Sequence, residues 1–141
     1  MFTMTRDQAM EFLAAGARTG KVATASRDGK VHVAPLWFVV DGQDLVFVTT
    51  ATSVKGRHLH ANPLAALCVD DDRPPFGFVV LQGRAVLSED VDELRHWATR
   101  IGGRYMGEAR AEEFGRRNGV PGELLVRVRI AKVLAYASVA D

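Results

Sequence analysis

Apolar residues recur along much of this chain at a spacing of two, in runs that end at Gly, Asp, Asn or Pro. A period of two sends alternate side chains to opposite faces of a strand. Six strands are predicted this way: Lys21 to Ser26, Val31 to Val40, Leu45 to Thr50, Leu64 to Val69, Phe78 to Leu87 and Leu124 to Val139. Arg27-Asp28-Gly29-Lys30 and Asp41-Gly42-Gln43-Asp44 read as hairpin turns. The second strand is apolar on both faces: Val31, Val33, Trp37 and Val39 lie on one, Ala34, Leu36, Phe38 and Val40 on the other, so both need cover. Pro35 cannot donate to a ladder, which predicts a bulge and free backbone from Pro35 to Trp37. The last strand alternates Val126, Val128 and Ile130 against Arg127 and Arg129, and should bend near Ala131-Lys132.

Three helices interleave with these strands. Thr5 and Gln8 form a capping box for a helix whose Ala9, Met10, Phe12 and Leu13 make an apolar face, expected to lie as a lid on the sheet. A short helix follows Thr50 and stops at Asn62-Pro63. Asp90 and Glu93 cap a third, with Val91, Leu94, Trp97, Ala98 and Ile101 as its stripe and Gly102-Gly103 expected to interrupt it. Glu108 to Arg117 reads as polar helix or loop. Hairpin connections without a βαβ rhythm predict a mainly β, α+β fold: one domain over residues 1–141, built as a six-stranded antiparallel barrel with helices outside.

Chemistry concentrates where the third strand feeds the short helix. A helix N-terminus leaves N–H groups unpaired at the positive end of its dipole; here Thr49, Thr50, Thr52 and Ser53 supply hydroxyls and Lys55 and Arg57 supply charge, an arrangement suited to phosphate. The same residues are equally consistent with Ser53 or Thr52 capping a connecting helix beside solvated cations. A formal net charge of +1 gives no general nucleic-acid signal. No apolar run approaches a membrane span and no signal-peptide order opens the chain, so a cytoplasmic protein is expected. The single Cys68 lies in an apolar run, which predicts a small core side chain. Asp70-Asp71-Asp72 reads as a loop, and His58 and His60, two apart on a helix, cannot share a metal; no metal site is expected. Nor does the chain show a recognisable nucleophile or acid–base pair, so a bound cofactor would carry any chemistry.

The order KVATAS, DG, HVAPLWFVVDG, VFVTTATSVKGRHLHANP, VLQGRAVL, RYMG and LLVRVRIAKVLAY resembles the split β-barrel flavin/deazaflavin oxidoreductases, with the FMN-binding split barrel as the implied fold. Within them it is most similar to the small pyridoxamine 5′-phosphate oxidase-like enzymes that use coenzyme F420. The most specific parts are S-x-K-x-R-x-L-x-x-N-P from Ser53 to Pro63 and P-x-W-F from Pro35 to Phe38. The resemblance implies that Ser53, Lys55 and Arg57 hold a cofactor phosphate, and that Pro35, Leu36, Trp37, Thr49 and Thr50 line its tricyclic ring. It further implies a homodimer with the site at its interface, expected near Trp37 or Trp97, and hydride transfer between reduced F420 and an unsaturated small molecule. FMN is the alternative cofactor, and a non-catalytic flavin, deazaflavin or haem carrier the alternative role. The R-x-V-L-L-K motif and the C-terminal substrate motif of true pyridoxamine phosphate oxidases are absent, which argues against vitamin B6 oxidation. The F420 glutamate tail would need further cations; Arg73, Arg104, Arg127 and Arg129 are the candidates.

Overall fold

A computed structural model describes residues 1–141. Eight strands form one antiparallel sheet: β1 (Phe2–Thr3), β2 (Gly20–Ala25), β3 (Val31–Leu36), β4 (Val39–Asp41), β5 (Asp44–Thr50), β6 (Leu64–Asp70), β7 (Phe78–Ser88) and β8 (Glu123–Ala137). The ladder runs β3-β2-β6-β7-β8-β5-β4, with β1 added alongside β8. Four helices accompany it: α1 (Arg6–Ala14), α2 (Val54–Ala61), α3 (Val91–Met106) and α4 (Ala111–Asn118).

The strand expected over Val31 to Val40 is two strands, which with the short β1 raises the count from the expected six to eight. The break falls at Trp37-Phe38 and not at Pro35, which sits inside β3 opposite Lys21. Proline is tolerated there because β3 ends the ladder and needs partners on one side only. Since β3 and β4 are the two ends of the ladder yet only Trp37 and Phe38 separate them, the sheet must curl until its edges nearly meet. The result is a barrel with a seam crossed by the chain itself. In β8 the predicted bend is a bulge: Gln82 pairs with Lys132 and Gly83 with Ile130, leaving Ala131 over. A Cβ on Gly83 would lie 2.3 Å from the Arg129 carbonyl oxygen, so the bulge requires glycine.

Inside the barrel a 19-residue core includes Phe38, Phe47, Leu67, Leu81 and Val126, and α1 closes it with Ala9, Met10 and Leu13. The Thr5–Gln8 capping box that starts α1 is formed in both directions. A second cluster lies on the outer face of the sheet, where Leu94, Trp97 and Ile101 of α3 pack on Val39, Val46 and Leu125. Trp97 is therefore buried within its own chain. Gly102-Gly103 do not interrupt α3, which is continuous to Met106. Cys68 is half-buried on the outer face of β6, not in the core, and burial, with Asp70 nearby, pushes its thiol up from the ordinary value.

Candidate functional site

At the seam, the end of β3 faces α3 and α4 across a hollow of about 190 Å³. Pro35, Leu36 and Trp37 form one wall, Val48 of β5 and Lys55 of α2 a second, and Ala98, Ile101 and Gly102 of α3 with Phe114 and Asn118 of α4 a third. Trp37 stacks on Tyr105 at 5.1 Å with an interplanar angle of 4°, and meets the edge of Phe114 at 5.6 Å. That stack holds the indole upright at the break.

The backbone at the break is unevenly provided for. Phe38 N–H donates to the Tyr105 hydroxyl at 3.3 Å, and the Phe38 carbonyl accepts from Arg104 at 2.7 Å. Trp37 N–H and C=O, in contrast, find no partner within the chain. Arg104 also donates to the Leu13 and Gly16 carbonyls at 2.7 and 3.0 Å, tying the end of α1 to the seam. Burial lowers its pKa, and burial likewise raises that of Tyr105, whose hydroxyl donates to the Arg18 carbonyl.

At the α2 junction Ser53 is the N-cap: its hydroxyl accepts from Gly56 N–H at 3.1 Å and donates to the Thr50 carbonyl at 2.7 Å. Thr49 is buried and bonds Ser53 at 3.1 Å, while Thr50, on the opposite face of β5, is exposed beside Glu123. Neither threonine lines the hollow at the seam. Lys55 does, whereas Arg57 lines a separate depression with Arg27 and His60. Two helical residues are about 200° apart round the axis, so the cations flank the start of α2 from opposite sides. Thus the predicted residues Pro35, Leu36, Trp37 and Lys55 meet in one hollow, and Thr49, Thr50, Ser53 and Arg57 do not line it.

Three of the four additional arginines are already engaged. Arg104 holds carbonyls, Arg73 bonds Asp71 at 3.0 Å, and Arg127 reaches Asp41 at 2.8 Å and Asp44 at 3.2 Å. Hydrogen bonds from the Arg73 side chain and backbone, then from Arg18, hold Asp71 well below the usual carboxylate range. Arg129 is exposed on the outer face. Sequence reasoning missed Val48 and the whole helical wall, Ala98, Ile101 and Gly102 of α3 with Phe114 and Asn118; the least foreseeable were Phe114 and Asn118. Their spacing of four puts them on one helix face, but a short polar segment with no apolar stripe gave no reason to aim that face inward.

An antiparallel barrel left open along one seam, with a ring-sized hollow beside the opening, defines a split-barrel protein. The chain belongs to the pyridoxamine 5′-phosphate oxidase family, whose profile matches residues 5–137. Among solved structures, the conserved hypothetical protein Rv2991 from Mycobacterium tuberculosis aligns over 96% of this chain and 86% of its own, with TM-score 0.82 and 21% identity. An F420 reductase aligns over 87% of this chain and 94% of its own, with TM-score 0.68 and 25% identity. HutZ, a haem storage protein from Vibrio cholerae, aligns over 98% of this chain and all of its own, with TM-score 0.74 and 15% identity. The likenesses to Rv2991 and HutZ are likenesses of fold. No curated protein matches the sequence.

Proposed function

We propose that this chain is a cytoplasmic F420-dependent oxidoreductase, acting as a homodimer on an unsaturated small molecule. The observation that carries the reading is the meeting of Pro35, Leu36, Trp37 and Lys55 around one hollow next to the start of α2. The residues fit such a cofactor. A cavity of about 150 Å³ admits benzene, so one of about 190 Å³ admits one ring of a planar tricycle. The unpartnered Trp37 N–H and C=O suit a polar ring edge, and Lys55, Arg57 and the α2 N-terminus suit a phosphate. An apolar patch on the outer sheet face, including Val31, Val33 and Leu64 at 83%, 66% and 55% exposure, is the surface proposed for the second copy.

When bound, reduced F420 supplies a hydride. The chain's own residues bind and orient: Pro35, Leu36 and Trp37 exclude water from one face, and Lys55 and Arg57 hold the anionic end. No carboxylate, histidine, cysteine or hydroxyl lines the hollow, so the protein's contribution would be to position the ring and the acceptor for direct transfer. The test uses F420H2 deuterated at its transferable carbon, with mass analysis of the reduced acceptor. Deuterium on product carbon is expected; turnover only with FMN and oxygen would replace F420 by flavin. The same lack of acid–base groups favours a second reading, a carrier, which cofactor binding without turnover across a broad acceptor panel would establish.

A further inference from the structure

We propose that Asn118 is a specificity-determining residue that reads the polar edge of the ring in the hollow, an inference that rests on the cofactor reading above. The ring edge in question is an imide, C=O, N–H, C=O, which needs an acceptor between donors. The Phe38 backbone cannot serve, because Tyr105 and Arg104 occupy its N–H and C=O; the open Trp37 N–H and C=O can meet part of the edge from the β3 side, which leaves the side chains of the hollow to read the rest. Among the side chains lining the hollow, Lys55 and the Trp37 indole only donate and the others, Asn118 excepted, carry no polar atom. Asn118 is the one side chain there that accepts as well as donates. It is half-buried and its carboxamide has no partner within the chain.

Its position is fixed by helix packing. Gly115 and Gly119 let α4 close on α3: a Cβ on Gly115 would lie 2.0 Å from the Thr99 hydroxyl oxygen, and one on Gly119 2.7 Å from the Arg95 Cα. On the α3 side, Gly102 would meet the Phe114 Cβ at 2.5 Å. Asn118, immediately before Gly119, is therefore presented by a contact with little slack. An amide held this way distinguishes a ring N–H from a ring that lacks it, because a missing partner leaves a buried polar group unpaired.

The experiment compares wild type with Asn118→Leu, of similar volume but without polar atoms. Dissociation constants are measured for FMN and 3-methyl-FMN, and for the F420 ring and its N3-methyl derivative, with near-ultraviolet circular dichroism to show that both proteins fold. Wild type should bind the N–H form of its preferred ring about tenfold or more tightly than the methylated form, and Asn118→Leu should lose that preference. If the variant weakens both forms equally, or changes neither, Asn118 does not read the edge and the proposal falls while the cofactor reading stands. Binding of no ring by wild type overturns both.

Discussion

Arg104 carries an unusual share of the seam, since one guanidinium serves carbonyls from the α1 end and from Phe38 while stacking near the Phe38 and Tyr105 rings. A lysine would keep the charge but not the planar fork that reaches several acceptors at once. Its neighbour Tyr105 has its pKa raised by burial. A phenol whose folded pKa lies above its unfolded one favours the fold fully below the ordinary tyrosine range near pH 10, and that contribution is lost as pH rises through the folded value. Tyr105→Phe is therefore expected to flatten the alkaline limb of a stability profile measured by denaturant unfolding; an unchanged limb would mean that another group governs it. Lys55 and Arg57 approach α2 from two sides, so each should matter alone. Charge-assisted hydrogen bonds contribute roughly 1.5–3 kcal/mol, and Lys55→Ala or Arg57→Ala should weaken cofactor binding about tenfold or more in a fluorescence titration. Affinity unchanged in both would place the phosphate elsewhere.

At the scale of elements, glycine meant two different things that the sequence could not separate. Gly29 and Gly42 adopt positive φ in hairpin turns, and those turns were readable because Asp-Gly pairs announce them. Gly102 and Gly103 look the same in sequence, yet they lie inside α3 as clearance for α4 and for Glu108. Helix α1, with its capping box, and the β8 bend were legible because local chemistry decides them. The β3–β4 break was displaced by two residues from Pro35 because it depends on which strands end the ladder, a long-range fact. Likewise, the α3 wall of the hollow was hidden because Ile101 and Ala98 serve the helix stripe and the hollow together. Gly102→Ala weighs these effects: helix propensity would gain up to about 1 kcal/mol, while crowding Phe114 should cost about 1–3 kcal/mol. A net loss is expected in the denaturation midpoint, and a gain would show that α4 moves aside freely.

For the whole molecule, the outer face of the sheet is its least finished surface. Val33, Ala23 and Ala66 lie side by side across β3, β2 and β6, and nothing in the chain covers Val31 or Val33. Sedimentation at micromolar concentration is expected to show a dimer, and Val33→Asp to shift it toward monomer; a monomeric wild type would reject the shared surface. The seam carries a different consequence. Because Trp37 and Phe38 alone join the first and last strands of the ladder, they act as a short leash that keeps one edge at high effective concentration beside the other. Lengthening the leash by about six Gly and Ser residues would dilute that edge without deleting any contact. Amide hydrogen exchange should then quicken along β3 and β4 while β7 and β8, paired on both sides, keep their protection.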